Sequence, residues 1–181
     1  KIAAVVAAAA SLASASSLAS TQATAADQTI APTADAFVSA SSPSSNYGAS
    51  TILYTDGSPI FRSYLRFDLA GLSGQVVTGA TLRIYAGTSG APGETVEVHG
   101  SADTSWTEGG ITYANAPATG AVVASAGSIA GGSWISLDVT PLIHANGPVT
   151  LVVDSQDDTR IRFASRESAT PPQLVVHTQA E

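Results

Sequence analysis

The chain has 181 residues, no cysteine and a formal net charge of −7 at pH 7. This acidic balance disfavours nucleic acid and anionic membranes as partners, because both attract basic surfaces. Since no disulfide can form, packing, hydrogen bonds or a metal ion must hold the fold together.

Residues 1–26 have the composition of a secretory signal peptide. Lys1 is the single cation, and a run of Ala, Val, Leu and Ser leads to small residues at the end. Because the chain starts with Lys, we expect the start of this signal to be missing and the mature protein to begin near Ala26 or Asp27. We therefore predict a secreted, extracellular protein. No later stretch is apolar over the ~18 residues of a membrane span, so we expect no membrane insertion.

Residues 27–181 predict one all-β domain. Short apolar runs alternate with turn residues, and no stretch keeps the period of a long helix. Ten strands are expected, at residues 36–39, 51–55, 60–69, 81–86, 95–100, 122–125, 133–139, 149–154, 160–165 and 173–178. A Thr-Pro pair predicts one helical turn near residues 140–145. Ten short strands joined by turns favour a two-sheet β-sandwich.

The segment at residues 62–69, Arg-Ser-Tyr-Leu-Arg-Phe-Asp-Leu, alternates between polar and apolar side chains. Period two places Tyr64, Arg66 and Asp68 together on the polar face of a strand. A ring beside a guanidinium and a carboxylate can stack on a pyranose and bind its hydroxyls or a uronate carboxylate. The alternative is that these charges pair with a neighbouring strand and serve only the fold.

Two long connections carry more aromatic and polar side chains than a simple link requires. Residues 40–50 include Tyr47, which falls outside the predicted core pattern and is a candidate for an exposed aromatic platform. Residues 103–119 include Trp106 and Glu108, candidates for stacking and hydrogen bonding to a sugar. The alternative is a self-packed loop, with Trp106 closing the end of the sandwich.

Arg160, Arg162 and Arg166 share one parity near the end of the chain. Three guanidinium groups on one face would attract an anionic polymer. The alternative is neutralisation by acidic residues nearby in the sequence.

A structural calcium ion is a further hypothesis, since a cysteine-free secreted domain would gain stability from it. The candidate oxygen ligands are Asp35, near the first predicted strand, and a group of aspartates in a late hairpin loop, Asp154, Asp157 and Asp158. The alternative is that these side chains are only solvated, because no loop has the Asp-x-Asp-x-Asp-Gly spacing.

Four segments of the chain together resemble one family. They read ADAFV (34–38) followed by NYG (46–48), YLRFDL (64–69), WTE running into ITYANAP (106–117), and FASRE ahead of PQLVV (163–176). The chain is similar to the DNRLRE-domain family, which overlaps carbohydrate-binding module family 96. The resemblance implies a β-sandwich of jelly-roll type in secreted bacterial proteins, often appended to polysaccharide lyases or glycoside hydrolases. It also implies carbohydrate binding, with alginate as the ligand of some members.

The leading prediction is a secreted, non-catalytic, lectin-like module that binds a polysaccharide or cell-surface glycan. The candidate binding residues lie on the polar strand face, the two long connections and the late arginine row: Tyr47, Tyr64, Arg66, Trp106, Glu108 and Arg162. One alternative is an extracellular assembly module that binds another protein, the matrix or its own copies, and it would display an exposed apolar patch. A small hydrolase or lyase is the third hypothesis, although the three histidines are scattered and lack zinc-ligand spacing.

Overall fold

The computed structural model describes residues 25–144 and 146–180. The predicted signal peptide therefore lies outside the described residues, except for Ala25 and Ala26. The described chain forms eleven strands: β1 Ala25–Ile30, β2 Ala34–Ser39, β3 Ile52–Gly57, β4 Ile60–Asp68, β5 Gln75–Tyr85, β6 Ala91–Ser101, β7 Val122–Ile129, β8 Trp134–Asp138, β9 Pro148–Asp154, β10 Ile161–Ala164 and β11 Gln173–Ala180. Short 3-10 turns occupy Ala70–Leu72 and Thr140–Leu142.

The strands form two antiparallel sheets, which confirms the predicted β-sandwich. The small sheet has the order β1-β11-β5-β8. The large sheet has the order β10-β3-β4-β9-β6-β7, and β2 pairs with β4. A single bridge between Ala86 and Phe163 joins the chain just after β5 to β10, where the two sheets meet.

The main core lies between the sheets and follows the period-two patterns of the strands. In β4 the apolar positions Leu65 and Phe67 are fully buried. Leu151 lies beside Leu65 on β9 of the same sheet, and Leu82 belongs to β5 of the opposite sheet, all in one core. Alternation along each strand places these side chains on the inner face. The alternation in β4 therefore predicted correctly which of its side chains face the core.

A second, smaller core lies on the other face of the large sheet. The connection between β6 and β7, residues 102–121, crosses that face and is called the covering loop below. It contributes Trp106 and Ile111, which pack with Tyr64, Ala36 and Val152 of the sheet. Because the loop covers this face, β2 is buried along its whole length. The outer face of β4 around Tyr64, for which an exposed sugar-binding platform was one prediction, is therefore buried.

One detail differs from the sequence-based expectations, and one is confirmed. β1 was not predicted, because its side chains are mostly exposed and show no apolar alternation; its pairing with β11 defines it. The predicted helical turn near residues 140–145 is the 3-10 turn Thr140–Leu142. Just before it, Asp138 Oδ1 accepts hydrogen bonds from the Thr140 amide and hydroxyl. In the described part of the chain, no helix has the length and apolarity needed to span a membrane.

Candidate functional site

Tyr64 and Trp106 lie in the second core, with 1% and 7% of their surfaces exposed. The Tyr64 hydroxyl donates to the Pro117 carbonyl at 2.8 Å, and Trp106 Nε1 donates to Thr150 Oγ1 at 3.0 Å. Neither ring offers a face to a sugar. The stacking platform predicted at these two residues is therefore not retained, because the covering loop closes over them.

Arg66 holds the covering loop against β4. Its Nη1 donates to the Trp106 carbonyl at 2.6 Å and to the Thr104 carbonyl at 3.4 Å. The guanidinium carbon also lies 5.6 Å from the centroid of the Trp106 ring, a cation–π distance. These contacts serve the fold, as the alternative interpretation of Arg66 expected, although its partners lie on a loop and not on a neighbouring strand.

Tyr47 is half-buried against the main core. Its ring stacks on Phe37 with centroids 4.2 Å apart. The preceding Asn46 donates from Nδ2 to the carbonyls of Glu108 and Ile111, both at 2.7 Å. The Asn-Tyr-Gly segment therefore anchors the covering loop to the sandwich.

The three arginines of the predicted row have different surroundings. Arg160 lies 3.3 Å from Asp56 Oδ2, and Arg166 binds Glu108 with both contacts at 3.0 Å or less. These two are neutralised, but mainly by acidic residues distant in the sequence; of the nearby acidic residues, Glu167 lies 3.5 Å from Arg166. Arg162 is exposed on β10 and, within residues 25–144 and 146–180, its side chain has no hydrogen-bond or ion-pair partner. Its guanidinium carbon lies 5.8 Å from the centroid of Tyr54.

Arg162 borders a groove between β10 and the connection that follows β5. The groove, called the β10 groove below, encloses about 410 Å³. It is lined by residues 85–90 and 160–164 together with Thr51, Ile52 and Thr170. The backbone of the connection is close to β10, since the Gly87 amide donates to the Arg162 carbonyl at 2.7 Å. A volume of this size is typical of a binding cleft.

An aromatic pair adjoins the β10 groove and was missed by the sequence analysis. Tyr85, which lines the groove, meets Trp134 edge to face with ring centroids 5.4 Å apart. Both rings are half-buried on the outer face of the small sheet, and the Arg83 guanidinium carbon lies 4.8 Å from the Trp134 centroid. The sequence did contain a signal for Trp134. It shares its strand parity with Ser136 and Asp138 rather than with the buried Ile135 and Leu137, which indicates an outward-facing ring.

Comparison with known protein families shows which family the chain belongs to. The model of carbohydrate-binding module family 96 matches residues 26–178. The chain belongs to carbohydrate-binding module family 96. The match runs from β1 to β11, so a family 96 module occupies almost the whole described chain. A search of curated proteins found no match.

Membership in family 96 makes carbohydrate the expected kind of partner. The β10 groove and the Tyr85–Trp134 pair together have the features of a sugar site, namely a concave surface, partly exposed rings and a guanidinium donor. They are the best candidate site on this family 96 module.

The calcium candidates of the sequence do not come together. Asp154 lies 2.6 Å from the Arg62 guanidinium, and Asp157 accepts the Thr95 amide at 2.5 Å. Asp158 is exposed. Arg62, which binds Asp154, pairs with Val38 near one end of β2, whereas Asp35 lies toward the other end of that strand. Asp35 is therefore separate from the aspartates of the hairpin loop.

Asp35 lies instead beside two glutamates and an arginine. Carboxylate oxygens of Asp35, Glu108 and Glu167 all lie within 4.8 Å of one another. Arg166 Nη1 contacts Glu108 at 2.9 Å and Glu167 at 3.5 Å. Hydrogen bonding to Glu108 raises the pKa of Arg166 above its ordinary value. Burial raises the pKa of Asp35 from 3.8 to about 7. This set of four residues is called the carboxylate cluster below.

Proposed function

We propose that this family 96 module is a secreted, non-catalytic domain that binds a polysaccharide or a cell-surface glycan in the β10 groove. Family membership supports a carbohydrate partner. The observation that carries the choice of site is Arg162, whose exposed guanidinium lies on the wall of a 410 Å³ groove and has no hydrogen-bond or ion-pair partner among the described residues. A guanidinium in this position forms its strongest hydrogen bonds with a ligand that supplies oxygen acceptors.

The chemistry of the groove suits a sugar chain. Arg162 can donate two parallel hydrogen bonds to a uronate carboxylate or to neighbouring hydroxyls. Tyr85 lines the same groove, and Trp134 packs against Tyr85; partly exposed rings of this kind can cover the apolar face of a pyranose. Thr51, Thr170 and the backbone of residues 86–90 add hydrogen-bonding groups along the lining.

The residues that line the groove support binding rather than hydrolysis. They are glycine, alanine, serine, threonine, isoleucine, phenylalanine, tyrosine and arginine. Hydrolysis of a glycosidic bond ordinarily requires a pair of carboxyl groups across the scissile bond. The carboxylate cluster does not line this groove.

No observation favours the assembly alternative over this proposal. In the described part of the chain, the large apolar side chains that are exposed are Val76 on β5 and Val122 on β7. These two strands belong to different sheets. An interface with a protein partner ordinarily contains a contiguous apolar core.

Affinity gel electrophoresis against neutral and acidic polysaccharides tests the proposal. We expect one class to retard the protein, and we expect Arg162→Gln and Tyr85→Ala each to weaken this retardation at least about tenfold, the effect of losing one charge-assisted contact or one stacking ring. Tyr113→Ala is the matched control, because Tyr113 is a half-buried tyrosine of the covering loop outside the groove.

The outcomes separate the possibilities. No retardation by any polysaccharide contradicts the function and favours a protein partner. Retardation that survives Arg162→Gln and Tyr85→Ala but is lost in Tyr113→Ala contradicts the location, because it moves the site to the covering loop.

A further inference from the structure

The carboxylate cluster combines three acidic side chains from three separate parts of the chain. Asp35 lies in β2, Glu108 in the covering loop, and Glu167 three residues after the end of β10. One oxygen from each lies within 4.8 Å of the others. Two ligands of one calcium ion, each at about 2.3–2.6 Å, can be no more than about 5 Å apart. The three oxygens therefore already satisfy the distance limit for a shared ion.

One oxygen of the cluster is buried and has no partner. Asp35 is 1% exposed, and its Oδ2 accepts the Arg166 amide at 2.7 Å. Its Oδ1 has no hydrogen-bond partner. Buried carboxylate oxygens are ordinarily hydrogen-bonded or bound to a cation, because an unpartnered one keeps the full cost of lost hydration.

The charges of the cluster do not cancel. Arg166 is the cation that contacts these carboxylates, and it binds Glu108 through both oxygens. Once Asp35 has lost its proton, three carboxylates and one arginine give a local charge of −2, which one divalent cation would neutralise. All the candidate ligand atoms are carboxylate oxygens, the type that calcium prefers.

We propose that Asp35, Glu108 and Glu167 form a binding site for one calcium ion, with Asp35 Oδ1 as the ligand atom that the protein leaves unsatisfied. The ion joins β2 to the covering loop and to the connection after β10. It therefore fastens the loop whose residues make the second core. This site is separate from the β10 groove and does not depend on carbohydrate binding.

The test is calcium binding by the whole protein after EDTA treatment and removal of the chelator. We expect calorimetric titration with CaCl₂ to show one site per chain. We also expect about 10 mM CaCl₂, roughly 100 times the ~10⁻⁴ M Kd of an extracellular calcium module, to raise Tm by about 5–10 °C. MgCl₂ at equal ionic strength should give less than about a third of that shift, since Mg²⁺ requires tighter octahedral geometry.

Substitutions locate the ion. Asp35→Asn keeps the volume of the side chain and an oxygen acceptor for the Arg166 amide, and we expect it to weaken calcium binding at least about tenfold. Glu167→Gln should do the same, and it decides the matter if Asp35→Asn does not fold, because 29% of the Glu167 side chain is exposed. Asp158→Asn is the matched control, since it removes one exposed carboxylate of the hairpin loop.

The calcium-dependent Tm shifts of the wild type and the variants decide whether the ion binds at this cluster. A calcium shift that is kept in Asp158→Asn and lost in Asp35→Asn or Glu167→Gln supports the site. In EDTA, Asp35→Asn should be at least as stable as the wild type, because it removes a buried charge that has no cation beside its free oxygen. The absence of any calcium response in the wild type, equal shifts from Ca²⁺ and Mg²⁺, or an unchanged shift in both cluster variants would overturn the proposal.

Discussion

Tyr64 and Trp106 meet edge to face with their ring centroids 6.1 Å apart, one on β4 and the other on the covering loop. Each also makes a hydrogen bond, Tyr64 to the Pro117 carbonyl and Trp106 to the Thr150 hydroxyl. Such a pair joins apolar burial to specific geometry, because a buried Tyr or Trp needs a partner for its polar atom. The pair therefore fixes the loop to the sheet at two points.

Shortening Trp106 should destabilise the fold strongly. Trp106→Ala removes a large ring from the second core and should lower the free energy of unfolding by about 3–5 kcal/mol. Trp106→Phe keeps most of the ring but leaves the buried Thr150 hydroxyl without its donor, and should cost about 1–3 kcal/mol. Urea unfolding measures both. Equal stability of the two variants and the wild type would contradict the burial of Trp106.

Tyr64 should make the protein sensitive to alkaline pH. Burial raises its pKa from 10.0 to about 12, so between these values the folded protein keeps a proton that the unfolded chain releases. The free energy of unfolding should therefore fall as pH rises from about 10 to about 12, by up to roughly 3 kcal/mol.

The control for this pH effect is Tyr64→Phe. The variant lacks the ionisable hydroxyl, so its stability should decline less over the same pH range, although it starts lower because the bond to Pro117 is lost. Urea unfolding at several pH values compares the two proteins. Parallel declines would assign the alkaline sensitivity to other groups.

Alternation along β4 was enough to predict which side chains face the core, but not what covers the opposite face. The side chain of Tyr64 points away from Phe67, as period two requires. Whether that outer face is wet depends on the covering loop, which begins more than thirty residues later in the chain. Strand periodicity carries no information about such long-range packing, so the sequence could not distinguish a sugar platform from a second core.

The candidate sites show the same limit. Strand parity identified both Arg162 and Arg166 as candidates for ligand binding. Only Arg166 is paired with Glu108, which reaches it from the covering loop. The carboxylate cluster likewise joins three segments whose proximity no local pattern encodes. Trp134 could have been identified, because its parity with Ser136 and Asp138 indicated an outward-facing ring.

Gly48 should be intolerant of a side chain. A Cβ atom there would lie 2.2 Å from the Glu108 carbonyl oxygen, and this neighbour is backbone that cannot move aside easily. Gly48→Ala should therefore lower the free energy of unfolding by about 1–3 kcal/mol or more. Gly109→Ala is the matched control in the same region, because a Cβ at that position has nothing within 4 Å. Thermal unfolding of the two variants compares them, and similar Tm values would contradict the close approach at Gly48.

The two tryptophans of the chain should report on different parts of the molecule. Trp106 is buried under the covering loop, whereas Trp134 is half-buried beside the β10 groove. Acrylamide should therefore quench the fluorescence of Trp106→Phe, which retains Trp134, several times more strongly than that of Trp134→Phe. A bound polysaccharide should protect Trp134 from the quencher and leave the emission of Trp106 unchanged, because the two rings lie on opposite outer faces of the sandwich. Protection of Trp106 instead would place the ligand on the covering loop, whereas protection of Trp134 alone would tie carbohydrate binding to the outer face of the small sheet.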